Sequence, residues 1–335
     1  MKFTETASVS RHSAITQEVS PMHSLFQRFA LALLLCLALL LPALALSEVV
    51  ELPIDFSPGM PIAEKWEQGK MSYDDPSIHV ERDYYDSEEF GCRVYVVNIK
   101  IANATQLRTE SCKGGENGFN TRHRDKDAAQ MSTRVRAVVA MDGDFYGDHA
   151  GSFVLRQGVM FREITETYHD LLLIDEDGDF HVILAGNRDT EEGYGNSFPA
   201  LPVTHEQLTQ ADGKKIINGF EFGPCIILNG EEVPCNPRSI VHQHKSQSWN
   251  PAQRICLAQV GPLEYRIVAV ARFGLSVQDF SKLVMSFGDV KTAYMFDGGN
   301  STQIAFLGRK INNSTDDSPR LLYDIIYFAS AYKAD

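Results

Sequence analysis

The stretch that decides the fold runs from Glu264 to Asn300 and reads EYRIVAVARFGLSVQDFSKLVMSFGDVKTAYMFDGGN. Its first part, Glu264 to Arg272, is rich in β-branched residues and predicts a strand. A helix follows, because Ser276 can cap its start, apolar residues recur at helical spacing and Gly288 can end it. A second strand then leads into Asp297. Such a strand-helix-strand unit brings the two strands parallel, so Asp297 is predicted at a carboxyl end, where sites in mixed α/β sheets are built.

Most of the remaining chain also reads as strands. Alternating and β-branched residues predict strands over Arg93–Ala102 and Arg134–Asp142. Pairs that end in glycine predict three hairpins, at Gln157-Gly158, Asp177-Gly178 and Asn229-Gly230. The predicted class is therefore α+β, a mixed β-sheet core with several hairpins, a few flanking helices and a C-terminal strand-helix-strand unit.

Composition limits the classes of partner. The chain has 335 residues and is 44% hydrophobic, which is enough to bury a sizeable core. Its 31 basic residues face 44 acidic ones, for a formal net charge of -13. A broad electrostatic footprint for nucleic acid is therefore excluded, and any phosphate must be held by a few placed arginines.

The N-terminus predicts export. An apolar run from Phe29 to Leu46, FALALLLCLALLLPALAL, follows Arg28 and ends in small residues around Ala43 and Ala45. We interpret residues 1–47 as a signal peptide or an N-terminal membrane anchor, since the run approaches the length that spans a bilayer. Residues 48–92 read as an irregular leader and 93–335 as the functional domain. The predicted location is extracytoplasmic, with contact to a membrane only through the N-terminal segment.

Two cysteines are predicted to form a disulfide. Cys225 and Cys235 flank the Asn229-Gly230 turn, and folding the hairpin about that turn places Cys225 opposite Pro234. A small bulge would bring the two sulfurs together. In an exported protein this pair should be oxidised.

Several motifs in a fixed order resemble those of the phosphodiester glycosidase family. They are FGP at Phe222–Pro224, the Asn-Gly hairpin, NP at Asn250-Pro251 with Arg254, AMDGDFYG at Ala140–Gly147, and AYMFDGGNST at Ala293–Thr302. The resemblance covers roughly Arg93 to Tyr332. It implies a hydrolase that cleaves a sugar from a sugar-1-phosphodiester, with a carbohydrate phosphodiester or a glycan related to an envelope polymer or exopolysaccharide as the substrate.

The chemistry of that reaction selects the candidate residues. An oxocarbenium-like transition state needs carboxylates near the anomeric carbon, and the departing phosphate needs a cation. The predicted catalytic residues are Asp297, Asp142 and Glu221. The predicted substrate-binding residues are Arg254 as a phosphate clamp, Gly298 and Gly299 for close backbone approach, and Asn300, Ser301 and Asp144.

The sequence leaves rival interpretations open. Asp297 and Asp142 could be turn or Asx-loop residues, and Arg254 could belong to a surface ion pair. No cofactor is certain, although Asp144, Asp148 and His149 could hold a divalent cation. This chain has Asp142 where the family usually has asparagine, and Asn300 where many members have a third glycine. A catalytically inactive glycan-binding or envelope-assembly module is thus the alternative function, and a metal-dependent phosphodiesterase is a third.

Overall fold

The structure is a computed structural model that describes residues 48–62, 67–68, 71–185, 199–234, 250–312 and 320–334. The described residues belong to one compact unit. Strands predominate and a few helices flank them, which confirms the α+β class. No helix in the described ranges is long and apolar enough to cross a membrane, and the apolar run from Phe29 to Leu46 lies outside those ranges.

The helices are α1 (Ala128–Arg134), α2 (His205–Thr209) and α3 (Val277–Met285). The strands, in chain order from β1 to β24, are Glu48–Val49, Glu67–Gln68, Ser72–Asp75, Ile78–Ser87, Cys92–Ile101, Leu107–Ser111, Ala137–Asp142, Val154–Arg156, Val159–Arg162, Glu166–Thr167, Leu171–Asp175, Phe180–Ile183, Leu201–Pro202, Gln210–Ala211, Lys214–Glu221, Cys225–Leu228, Glu231–Glu232, Ala252–Gly261, Glu264–Leu275, Thr292–Met295, Ile304–Phe306, Arg309–Lys310, Asp324–Ala329 and Tyr332–Lys333.

Three larger sheets and two two-stranded ribbons contain these strands. A nine-stranded sheet has the order β17-β16-β20-β18-β19-β5-β4-β3-β2, and a five-stranded sheet has the order β22-β21-β7-β23-β6. The third sheet runs β12-β11-β15-β8-β9, with β14 paired to β15. The ribbons are β1-β24 and β10-β13.

One hydrophobic core joins the three larger sheets, because each sheet contributes one face to it. Tyr95 and Ile267 come from the nine-stranded sheet, Val139 and Phe328 from the five-stranded sheet, and Phe220 from the third. The opposite faces pack under the helices, with α3 on the nine-stranded sheet, α1 on the five-stranded sheet and α2 on the third. The strand ends of all three sheets can therefore meet at one place.

The strand-helix-strand prediction is confirmed. The Ser276 hydroxyl accepts the backbone N–H of Asp279 at 3.0 Å and caps α3, and Gly288 follows the helix in a left-handed conformation. Strands β19 and β20 both pair antiparallel with β18, which lies between them, so they run parallel to each other. Asp297 lies two residues beyond the end of β20.

The three hairpins are also present. The pairs β8–β9, β11–β12 and β16–β17 enclose the predicted turns. Gln157-Gly158 and Asn229-Gly230 have positive φ at both residues, as a type I′ turn requires.

Cys235 lies outside the described residues, so its disulfide with Cys225 stays a prediction.

Residues 48–92 contain more regular structure than the irregular leader that the sequence predicts. Strand β4 pairs with β5 along its whole length, and its first residues alternate between buried and exposed positions. The segment before β2 is irregular but firmly held. The buried Arg108 guanidinium donates to the carbonyl oxygens of Pro53, Asp55 and Ser57 at 2.8, 2.8 and 3.1 Å. This stretch is therefore built into the domain.

The strand predicted from Arg134 to Asp142 is wrong at its start. Arg134 is the last residue of α1, and Arg136 has a φ of 57°, which turns the chain before β7 begins at Ala137. The helix is capped by Asp127, whose side chain accepts the N–H of Gln130 at 2.8 Å. Its seven residues are too few for a clear helical period in the sequence.

Candidate active site

The predicted catalytic carboxylates come from the strand ends of three different sheets. Asp142 is the last residue of β7, Asp297 follows β20, and Glu221 is the last residue of β15. The Asp297 N–H donates to the carbonyl oxygen of Gly143 at 3.3 Å, which joins the Asp-Gly loops of two sheets. The structure thus brings Asp142 and Asp297 into one site.

Asp142 is fully buried and has one unsatisfied oxygen. Its Oδ1 accepts the backbone N–H of Gln303 at 2.9 Å, whereas its Oδ2 has no hydrogen-bond partner. Burial raises the pKa of this carboxyl well above its usual range, and the neighbouring negative charges of Asp297 and Asp324 raise it further. Both effects favour the protonated form of Asp142.

Asp297 shows a smaller rise in pKa than Asp142. Burial raises its pKa to about 6, while hydrogen bonds from Ser301 and the Gly298 N–H, and the positive charge of Arg320, oppose the rise. Its Oδ2 is buried without a partner. Two adjacent carboxyls with different pKa values are the usual arrangement for one proton donor and one proton acceptor.

A buried charge cluster lies behind these two groups. The Nη2 of Arg156 is 2.8 Å from Asp144 Oδ2 and 3.6 Å from Asp324 Oδ2, and all three side chains are almost inaccessible to solvent. The guanidinium also stacks on Phe220, with its carbon 4.1 Å from the ring centroid. Asp324 lies against the Cα of Gly143, where no side chain would fit. Burial raises the pKa of Asp324 well above its usual range, and the charge of Asp144 adds to this effect.

Glu221 differs from the two aspartates because both of its oxygens are satisfied. They accept the Phe153 N–H at 2.6 Å and the Thr167 hydroxyl at 2.8 Å. Burial raises its pKa. Glu221 also lines a cleft of about 500 Å³, together with His149, Ser152, Thr167, Tyr168 and His169. Its backbone N–H donates to Asp144 at 3.4 Å, so this cleft adjoins the buried cluster.

Apart from Asp144, which lies in the buried charge cluster, the predicted binding residues fall into two groups. Gly298, Gly299, Asn300 and Ser301 form the loop around Asp297, and two of them, Gly298 and Ser301, hydrogen-bond to its carboxylate. Arg254 is buried, and its Nε and Nη2 donate to the carbonyl oxygens of Leu275 and Asn250 at 3.1 and 3.0 Å. Arg254 therefore braces the start of β18 in this structure.

The predicted cation ligands Asp144, Asp148 and His149 do not form a metal site in the part of the chain that the structure describes. Within the ranges that the structure describes, no three His, Cys, Asp or Glu side chains are grouped so that they could hold a metal ion. Asp148 instead accepts the Tyr323 hydroxyl at 2.7 Å, and the His149 ring lies against Phe222. Asp148 and His149 thus contact other residues rather than a common cation position.

Sequence reasoning missed Asp324, Arg156 and Arg320. Asp324 is the first residue of a strand of six buried residues. A single acidic residue at the start of such an apolar run is the sequence feature that could have indicated it. Arg156 precedes a hairpin turn, where an arginine reads as exposed. Arg320 is exposed, and its Nη1 lies 3.3 Å from the Ser301 hydroxyl, which places a cation beside the Asp297 loop.

Comparisons with known proteins bear on the family and the fold. The family model for phosphodiester glycosidase matches residues 135–329, more than half of the chain. No curated protein sequence matches. Among solved structures, the catalytic domain of zebrafish N-acetylglucosamine-1-phosphodiester alpha-N-acetylglucosaminidase, auto-inhibited by its pro-peptide, superposes with a TM-score of 0.57 at 12% identity, covering 84% of this chain and 99% of that one. A hypothetical protein from Synechocystis has a TM-score of 0.44 at 14% identity, covering 76% and 62%. At this identity the likeness to the zebrafish domain shows the fold.

Proposed function

The chain belongs to the phosphodiester glycosidase family, and from this premise we propose that it hydrolyses the bond between the anomeric carbon of a sugar and a phosphodiester. The observation that carries the proposal is the pair formed by Asp142 and Asp297. Both are buried, each has an oxygen without a partner, and their pKa values differ. Such groups cost stability, which favours a role in chemistry over a role in a turn.

The proposed roles take Asp297 as a carboxylate and Asp142 as a protonated acid, the form that its raised pKa favours. The Asp297 carboxylate takes a proton from the attacking water and stabilises the positive charge that develops on the sugar. The water oxygen bonds to the anomeric carbon while the bond from that carbon to the phosphate oxygen breaks, and its electron pair leaves with the phosphate. The protonated Asp142 donates a hydrogen bond to the departing oxygen. The products are a free sugar and a phosphomonoester.

A release assay tests this proposal. Purified protein is incubated with UDP-N-acetylglucosamine and with methyl phosphodiesters of several sugar-1-phosphates, and free sugar is measured. Sugar release with multiple turnovers is the expected result. Binding of these compounds without release would favour the inactive glycan-binding module, and release of a sugar phosphate that stops with chelator would favour a metal-dependent phosphodiesterase.

Two arginines, Arg254 and Arg320, are candidates for binding the phosphate. We propose that Arg320 contacts the phosphate, because it is exposed beside Ser301, whereas Arg254 is buried against backbone carbonyls. Replacing Arg320 by glutamine is expected to raise KM by about tenfold or more with little change in Tm. Replacing Arg254 by glutamine should lower Tm, because two carbonyl groups lose their donor. Kinetics and thermal melts of both variants decide between them, and the reverse pattern would return the clamp to Arg254.

The pKa of Asp297 predicts the pH profile. If the carboxylate form is active, kcat/KM should fall about tenfold per pH unit below pH 6 and level off above it. The free energy of unfolding should change with pH in the opposite direction to the activity. The pKa of Asp297 is higher in the folded protein than its unfolded value of 3.8. The stabilisation from Asp297 is therefore complete below pH 3.8 and is lost as the pH rises through about 6. A pH profile that is flat between pH 5 and 7 would contradict this role for Asp297.

Export is part of the proposal and rests on the N-terminal apolar run. We expect processing near Ser47 and a mature protein released outside the cytoplasm, where glycan or envelope phosphodiesters would be its substrates. N-terminal sequencing of the protein recovered from its source tests this expectation. An intact N-terminus found only in membranes would establish the anchor instead.

A further inference from the structure

Gln303 is a completely buried polar residue that follows the Asp297 loop in the chain. Its side-chain Oε1 accepts the backbone N–H of Ala128, the first residue of α1, at 3.0 Å. Its Nε2 donates to the backbone carbonyl oxygen of Arg320 at 2.6 Å. The amide therefore has an N–H group at one end and a carbonyl group at the other, which fixes its orientation.

The backbone of the same residue holds Asp142. Gln303 donates its N–H to Asp142 Oδ1 at 2.9 Å, and its carbonyl oxygen accepts the Asp142 N–H at 3.2 Å. Neither bond uses the Gln303 side chain. A substitution at position 303 should therefore leave Asp142 in place while it releases the two groups that the amide binds.

One of these two groups belongs to Arg320, the proposed phosphate ligand. The Arg320 N–H donates to the carbonyl oxygen of Asn300 at 3.3 Å, so Gln303 makes the shorter of these two bonds to the Arg320 backbone. From this backbone the exposed side chain reaches Ser301, with Nη1 3.3 Å from the hydroxyl oxygen. The Gln303 amide thus ties the backbone of an exposed cation to the start of a helix.

We propose that Gln303 is a positioning residue, whose amide fixes the backbone of Arg320 so that the guanidinium meets the phosphate of the substrate. A long side chain loses rotational freedom when it binds a ligand, and the total cost of binding is smaller when the backbone that carries this side chain is already fixed. The inference rests on the proposed function and on Arg320 as the phosphate ligand. It adds a residue that acts on substrate binding through another residue.

A matched pair of variants tests this role. Gln303→Met keeps the length of the side chain and removes both of its hydrogen bonds. Gln106→Met is the control, because Gln106 is also completely buried. Its Nε2 donates to the carbonyl oxygens of Ser77 and Ala329 at 3.0 and 2.9 Å, and its Oε1 accepts the Ala102 N–H at 2.9 Å. Both variants should lower Tm, because buried backbone groups lose their partners.

The two variants should differ in their kinetics. For the methyl phosphodiester that the parent protein cleaves fastest, Gln303→Met should raise KM by about tenfold and change kcat by less than about twofold. Gln106→Met should change neither constant. In an Arg320→Gln protein, Gln303→Met should raise KM no further, because the residue that it positions is already gone. An unchanged KM in Gln303→Met, or a further rise in the double variant, would overturn the inference while leaving the glycosidase intact.

Two further measurements cover a failure of the first. Gln303→Leu also removes both hydrogen bonds and replaces Gln303→Met if that variant does not fold. If the parent protein cleaves none of the substrates, the proposed function fails, and calorimetry then measures the Kd for the methyl phosphodiester of N-acetylglucosamine. Weaker binding in both Gln303→Met and Arg320→Gln would support the role of Gln303. An equal Kd in the parent protein and Gln303→Met, or a parent protein that does not bind, would overturn it.

Discussion

Replacing Asp297 by asparagine is expected to lower kcat by about 10²- to 10⁴-fold, the range associated with losing a general acid or base. The amide keeps the shape of the side chain and removes its charge, so the fold should persist. Stability at pH 7 should rise, because the buried carboxylate, with its pKa of about 6, is ionised there at a cost in free energy. Steady-state kinetics and thermal melts measure both effects.

A matched control separates this role from that of a turn residue. Asp177 also precedes a glycine in a turn, at the β11–β12 hairpin, and it pairs with Lys214 at 2.9 Å on the surface. Asp177→Asn should leave activity unchanged, since asparagine is itself a good turn residue. Wild-type kinetics in Asp297→Asn would remove the main reason for regarding the Asp-Gly-Gly loop as an active site.

Replacing Arg156 by methionine is expected to lower the free energy of unfolding by about 3–5 kcal/mol, because it leaves Asp144 and Asp324 buried without their cation. The stacking on Phe220 would persist in part, since methionine also packs well on aromatic rings. Denaturant titration at pH 7 measures the loss. A second substitution, Asp324→Asn, should restore part of it by removing one of the two carboxylates.

The control for Arg156 is an exposed arginine that pairs with an aspartate. Arg93 donates to both carboxylate oxygens of Asp86 at 2.8 and 2.7 Å on the surface of the nine-stranded sheet. Arg93→Met should lower the free energy of unfolding far less than Arg156→Met, because water already solvates both charges. Equal losses in Arg156→Met and Arg93→Met would show that the buried cluster contributes nothing particular to stability.

Local signals in the sequence were sufficient for the parts of the fold that depend on local chemistry. The cap at Ser276, the apolar spacing of α3 and the Asn229-Gly230 turn each act within a few residues, so the sequence alone predicts them. The direction of β20 follows from the crossover before it, and this placed Asp297 at a strand end.

Interactions between distant segments could not be predicted in this way. Strand β4 carries many charged residues on its exposed face, which conceals its pairing with β5. Arg156 and Asp324 are 168 positions apart, and only the packing of two sheets brings them together. An arginine before a hairpin turn reads as a surface residue because its partners come from elsewhere in the chain. The position of Asp297 at a strand end was therefore predictable, whereas the ion pairs of Arg156 with Asp144 and Asp324 were not.

Hydrolysis in water enriched in ¹⁸O tests the central claim most directly. If the protein is a glycosidase, the bond between the anomeric carbon and oxygen breaks, so mass spectrometry should find the label in the anomeric hydroxyl of the released sugar and none in the phosphomonoester. The Asp297→Asn variant should release labelled sugar much more slowly than the parent protein does. Label in the phosphate, with unlabelled sugar, would mean that water attacks phosphorus and would contradict the account.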